Sequence, residues 1–152
     1  MLWLSMSARH TQLATHKLLR ILLVEDHPDA ARIMAKLLCH HGHEVRVATS
    51  LESTRAVLRE ERQPFDVLVS DIGLPDGSGL DVMRLLSSPV RTRGIALSGY
   101  ESAEDVRRSR QAGFDEHLVK PIDFQRLLDL IARLAGGERP ALISGSAPLP
   151  AD

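Results

Sequence analysis

Apolar residues gather in five short runs, and between the runs they spread out to spacings of three and four. The runs are RILLV from Arg20, EVRVA from Glu44, FDVLVS over 65–70, GIALS over 94–98 and EHLV from Glu116. Short runs rich in leucine and β-branched residues, bounded by turn formers, predict strands. EVRVA alternates as a half-exposed strand does. The run over 65–70 is apolar enough to be buried on both faces, as central parallel strands are.

The spaced segments predict helices. Pro28 suits the first turn of one that carries Ala30, Ile33, Met34, Leu37 and Leu38 on a face and stops at Gly42. Ser50 caps a second over 51–62, ahead of Pro64, and Leu80 starts a short third that runs to about residue 87, before Pro89. Ser102 and Asp105 form a capping-box-like start to a fourth that ends at Gly113. Its apolar face is thin, with Ala103, Val106 and Ala112 set against Arg107, Arg108 and Arg110. Tertiary packing supplies most helix stability, so this helix is expected to be weakly held. Asp123 caps a fifth with Phe124, Leu127, Leu128, Ile131 and Leu134 on one face, ended by Gly136 and Gly137. Strand and helix alternate five times, which predicts an α/β fold with a five-stranded parallel sheet and helices on both faces. Residues 1–17 are expected to be a flexible extension, 18–136 the folded domain, and 137–152, rich in Pro, Ala, Ser and Gly, a disordered tail. No internal repeat or second folded domain is expected.

Composition narrows the partners. A chain of 152 residues that is 43% hydrophobic and 26% charged fits one soluble globular domain. Its net charge of -1 gives no electrostatic reason to expect nucleic acid or an anionic membrane. No apolar run approaches the roughly 20 residues that span a bilayer, and the opening MLWLSM lacks the basic start and cleavage pattern of a signal peptide. A cytoplasmic protein is expected. Cys39, the single cysteine, lies in an apolar helical pattern and is expected to be core or half-buried, with no internal disulfide. His40, His41 and His43 sit at a helix end, where basic groups are favoured by the helix dipole, and are read as solvated surface, not a metal cluster.

The chemistry gathers at strand ends. Glu25 and Asp26 follow the first strand, Asp71 the third, Ser98 the fourth and Lys120 the fifth. In a parallel α/β sheet these ends share one edge, where ligands bind. Three carboxylates brought together repel unless a cation neutralises them, and hard oxygen donors suit octahedral Mg2+. Each residue also has a plainer reading. Asp71 can cap its turn, Glu25 and Asp26 can favour the next helix N-terminus, Ser98 can form a turn, and Lys120 can be a surface charge.

In order along the chain, ILLVEDHPD, SDIGLPDGSGLDVM, ALSGY and HLVKP resemble the receiver domain of two-component response regulators, over roughly residues 20–135. The resemblance implies the flavodoxin-like strand order 2-1-3-4-5 and a cis Lys120-Pro121 peptide. It implies that Asp71 is the phosphoacceptor, and that Glu25, Asp26, Asp71 and the Gly73 backbone carbonyl hold Mg2+. Ser98 and Lys120 would grip phosphoryl oxygens. The implied partners are a histidine kinase or histidine phosphotransfer protein and a downstream protein target. Signalling would pass through the face made by the fourth and fifth helices and the last strand, a role that suits a weakly held fourth helix.

One departure bears on the readout. Many receivers carry Tyr or Phe three residues before the lysine, and here that position is His117. His117 and the nearby Tyr100 are therefore the switch candidates. The expected function is a signalling phosphoacceptor, not an enzyme, with no attached output or DNA-binding domain. The alternatives are a phosphorylation-independent scaffold with the same fold and the separated receiver end of a hybrid histidine kinase. An Asp-nucleophile phosphohydrolase of the haloacid-dehalogenase type would need a second Asp two residues after the first, and Gly73 stands there.

Overall fold

The computed structural model describes residues 17–86, 91–100 and 102–136. In chain order the elements are β1 (Arg20–Val24), α1 (Pro28–His40), β2 (Glu44–Ala48), α2 (Leu51–Glu60), β3 (Val67–Asp71), β4 (Gly73–Leu74), β5 (Gly77–Ser78), α3 (Gly79–Leu85), β6 (Arg93–Ser98), α4 (Ala103–Ala112), β7 (Glu116–Val119) and α5 (Phe124–Ala135). The sheet is parallel throughout, in the order β2-β1-β3-β6-β7. Counting only its five strands, that is the expected 2-1-3-4-5 arrangement. β4 and β5 form a separate two-stranded antiparallel hairpin inside the segment after Asp71, which the sequence pattern did not foretell. All but the last residue of the predicted extension over 1–17, the predicted tail over 137–152 and the predicted end of the third helix at about residue 87 lie outside the described residues.

Side chains of the central strands alternate between two cores. Ile21, Leu23, Val67, Val69, Ile95 and Leu97 pack with Met34 and Leu38 of α1 and Leu127 and Ile131 of α5. Leu22, Val24, Leu68 and Ala96 face Leu51 and Val57 of α2, Val82 and Met83 of α3, and Phe114. Both faces are therefore covered, which is why β1, β3 and β6 read as continuous apolar runs. Each fully buried leucine or isoleucine contributes about 1.5–3 kcal/mol.

Several local expectations shift. On α1 the buried stripe is Ala31, Met34 and Leu38, while Ile33 is 52% exposed. Cys39 is exposed, contrary to the core or half-buried expectation. It follows fully buried Leu38, and the 100° turn per residue of an α-helix carries it from the sheet to solvent. On α5, Leu130 is buried and Phe124 is 38% exposed. α2 ends at Glu60, two residues short of the expected 62, as Glu61 turns extended ahead of Pro64. β3 includes Asp71 itself and starts at Val67, leaving Phe65 buried outside the strand.

α4 buries only Ser109 and Ala112. Its charged face is tied internally by Glu104 to Arg107 at 2.6 Å and to Arg108 at 3.1 Å, exposed pairs worth about 0.3–0.5 kcal/mol each. Gly113, at φ 113°, turns the chain out of the helix in the left-handed region. This helix is held by less apolar surface than its neighbours, as its sequence predicts.

The hairpin is tied to α2. Asp76 accepts from the backbone N–H groups of Leu51 at 2.7 Å and Glu52 at 2.9 Å, two of the donors that a helix start leaves without intrahelical partners. Those bonds, Leu51 first, hold its carboxyl below the usual range. A depressed folded-state value means a contribution present above the unfolded carboxylate range, about 3.9, and lost as pH falls through the folded value. Asp76→Ala is expected to lower the thermal midpoint at about pH 6, and the gap to wild type is expected to close by about pH 2. Melting curves of both proteins across that range check it.

Candidate functional site

The C-terminal ends of β1, β3 and β7 bring three ionisable side chains into contact. Lys120 Nζ lies 2.8 Å from Asp71 Oδ2 and 3.2 Å from Glu25 Oε2. Glu25 is fully buried and Asp71 is buried, while Lys120 is about one-third exposed. A buried carboxylate is tolerable only when paired, and Glu25 has the ammonium on one oxygen and the His27 N–H, at 3.2 Å, on the other. Burial works against the Lys120 ammonium, but the hydrogen bond and charge of Asp71, followed by those of Glu25, outweigh it and raise its pKa above the ordinary lysine value. The Lys120-Pro121 peptide is cis.

Asp26 stands more open beside Glu25. His27 Nδ1 lies 3.4 Å from a carboxylate oxygen of each, and one donor atom from each of Glu25, Asp26 and His27 falls within a 4.8 Å spread. Glu25 and Asp26 offer hard oxygen donors and so fit a cation such as Mg2+. His27 was not singled out from the sequence. Its place directly after the acidic pair was the available signal.

The backbone around Asp71 is held closely. The Ile72 N–H donates to Leu97 O at 2.9 Å, and the Gly79 N–H donates to Ile72 O at 2.8 Å. Buried Ser70 donates its hydroxyl to Asp71 O at 2.9 Å. The first turn of α3 runs so near β3 that a Cβ on Gly79 would lie 2.2 Å from Asp71 O. Gly73 is the opposite case, since a Cβ there would meet nothing within 4 Å. Its carbonyl belongs to the loop directly after Asp71.

Ser98 ends β6, where it is buried. Its hydroxyl donates to the Tyr100 carbonyl and accepts from the Tyr100 N–H at 3.3 Å. His117 Nε2 is 2.9 Å from the same oxygen. His117 Nδ1 is 3.3 Å from the hydroxyl of Ser109 on α4. Tyr100 meets Ser98 through its backbone, and the residue is 81% exposed. Ser109 was not singled out from the sequence, although it falls between Val106 and Ala112 at the three-residue spacing of that helix's thin inner face.

The fold agrees with comparisons to known proteins. The response regulator receiver domain family matches residues 21–132. The chain belongs to that family, a family of signalling domains in two-component systems and not of classical enzymes. It is 32% identical to the response regulator protein PilR of Pseudomonas aeruginosa over 114 residues, 74% of this chain and 25% of PilR. It is 33% identical to the transcriptional regulatory protein TrcR of Mycobacterium tuberculosis over 128 residues, 81% of this chain and 49% of TrcR. The chain thus spans between a quarter and a half of these two relatives. A solved response regulator receiver domain protein from Clostridium thermocellum is 26% identical and superposes with a TM-score of 0.71, covering 79% of this chain and 96% of that one. No helix among the described residues is long and apolar enough to cross a membrane.

Proposed function

We propose that this receiver domain accepts a phosphoryl group on Asp71 in a Mg2+-dependent reaction, from a histidine kinase or histidine phosphotransfer protein in the cytoplasm. The observation that carries the reading is Lys120 Nζ at 2.8 Å from Asp71 Oδ2, on an edge that also holds buried Glu25. A carboxylate oxygen of Asp71 would attack phosphorus. The new O–P bond forms as the P–N bond to the donor imidazole breaks, and the leaving ring takes up a proton from solvent. A carboxylate needs no general base for this. Positioning and neutralisation of charge on the equatorial oxygens supply the catalysis.

Lys120 is suited to that neutralisation because its ammonium stays charged through the physiological range, its pKa being raised. Glu25, Asp26, Asp71 and the Gly73 carbonyl would hold Mg2+. The bound ion would offset the negative charge of the phosphoryl oxygens and of the carboxylates around them. Ser98 would donate its hydroxyl to a phosphoryl oxygen, a contact available only after transfer, and such a differential contact is what can bias a two-state surface. A Cβ on Gly99 would meet nothing within 4 Å, which leaves room for a donor to approach. The surface so biased would be α4, β7 and α5, read by a downstream protein target.

Intact-mass measurement after incubation with Mg2+ and acetyl phosphate tests the proposal. One labile phosphoryl adduct is expected on the wild-type chain and none on Asp71→Asn. A wild-type chain that stays unmodified with acetyl phosphate and with phosphohistidine donors would favour a phosphorylation-independent scaffold.

A further inference from the structure

The chain leaves the sheet just where the proposed metal site needs a fixed carbonyl. Ile72 is still pinned, its N–H donating to Leu97 O at 2.9 Å and its carbonyl accepting from the Gly79 N–H at 2.8 Å. Between those points the chain folds into the β4-β5 hairpin, with Gly73 opposite Ser78 and Leu74 opposite Gly77. A lone two-stranded hairpin is marginally stable in water, and strands of two residues make this one weaker still. Gly73 has no side chain to pack, and a Cβ there would meet nothing within 4 Å. Its carbonyl therefore takes its direction from the hairpin.

What holds the hairpin is the start of α2. At the tip, Asp76 spreads its carboxylate over two backbone donors, Oδ1 to the Leu51 N–H at 2.7 Å and Oδ2 to the Glu52 N–H at 2.9 Å. Hydrogen bonds to an ionised acceptor are roughly twice as strong as neutral ones, and a helix N-terminus favours the negative charge. The Leu51 side chain also fills the space beside Gly77, where a Cβ would come within 2.7 Å of Leu51 Cδ2. Leu74 packs against the core cluster that includes Leu51. The anchor is itself firm, since the Ser50 hydroxyl caps α2 by accepting from the Ser53 N–H at 3.0 Å.

We propose that Asp76 is a positioning residue for the metal site: by clamping the hairpin tip to the first turn of α2, it fixes the direction of the Gly73 carbonyl that is to meet Mg2+. It acts from the far end of the hairpin and not as a ligand. Clamp and ion are then reciprocally coupled. Asp76 strengthens Mg2+ binding, and bound Mg2+ slows the opening that frees the Leu51 and Glu52 N–H groups. The inference rests on the proposed Mg2+ site at Glu25, Asp26, Asp71 and Gly73, and adds a determinant of its affinity.

NMR titration of the full chain with Mg2+ alone, and amide hydrogen exchange at Leu51 and Glu52 with and without the ion, test it. Asp76→Ala is expected to bind Mg2+ about two- to tenfold more weakly, the span of one hydrogen bond's net effect, at a temperature where circular dichroism shows the variant folded. Asp76→Asn, which loses the charge but keeps one acceptor oxygen, is expected to recover part of that affinity. In the wild-type chain, Mg2+ is expected to slow exchange at both amides, a readout that needs no variant to fold. Equal affinity in Asp76→Ala, no recovery in Asp76→Asn, or exchange unmoved by Mg2+ overturns the clamp and leaves the metal site standing. A wild-type chain that binds no Mg2+, or whose binding is unchanged by Asp26→Asn, overturns the metal site as well.

Discussion

Replacing Lys120 by methionine is expected to slow phosphoryl transfer to Asp71 by about 10²–10³-fold, the usual cost of removing one preorganised electrostatic partner of a transition state. Methionine keeps most of the length and apolar stem of lysine, so the neighbours stay packed. What is lost is the charge lying 2.8 Å from Asp71 and 3.2 Å from Glu25. Initial rates of adduct formation at fixed acetyl phosphate and Mg2+ measure the effect, and a change below threefold would remove Lys120 from the mechanism. The same variant bears on stability. The folded-state pKa of Lys120 lies above its unfolded value, so its ion pairs contribute fully below the ordinary lysine range, about 10.4, and that contribution is lost as pH rises through the raised value. The gap in thermal midpoint between wild type and Lys120→Met is therefore expected to stay level from about pH 6 to about pH 9 and to close only in more alkaline solution.

Gly79→Ala carries the second large effect. Helix propensity favours alanine by about 1 kcal/mol in a helix interior. Opposing it, the added Cβ would stand 2.2 Å from Asp71 O, 2.9 Å from Ser70 Oγ and 3.0 Å from Asp71 C. Two of these are backbone atoms of β3, which cannot rotate away. Overpacking costs about 1–3 kcal/mol when neighbours can shift, and here the collision outweighs the propensity gain, with a midpoint drop on the order of 5–10 °C. The strand end that must move is the one presenting the Asp71 carboxylate, so phosphoryl transfer should slow as well. Gly73→Ala is the control. Its Cβ meets nothing within 4 Å, and its stability should stay within about 0.5 kcal/mol of wild type. Calorimetry on the two variants decides between a glycine required for close approach and one that is merely tolerated.

The layers of this molecule were legible where one face of an element is plainly apolar. RILLV predicted a strand and the run over 65–70 a buried one, and the structure divides their side chains between two cores by simple alternation. Legibility failed where the buried face depends on helix phase. Ile33 and Cys39 look alike as members of an apolar stretch, yet both turn toward solvent while Met34 and Leu38 meet the sheet. No local rule sets that phase, because it comes from where the sheet lies. The strand-end residues were legible because chain direction in a parallel sheet sends every carboxyl end to one edge. That reasoning brought Glu25, Asp71 and Lys120 together before any distance was known. It could not supply the partners of His117, since Ser109 lies on a helix whose approach depends on the packing of Phe114 and Ala112. Nor could it supply the hairpin β4-β5, whose two-residue strands are too short to leave a periodic trace.

The central claim is that Asp71, not another carboxylate of the acidic edge, receives the phosphoryl group. Borohydride reduces an acyl phosphate to the corresponding alcohol, marking the acceptor permanently, and peptide mass analysis then locates it. After treatment with Mg2+ and acetyl phosphate, reduction should convert Asp71 alone to homoserine, leaving Glu25, Asp26 and Asp76 unchanged. Conversion at any of those three, or at no residue in a sample whose intact mass shows the adduct, would contradict the account.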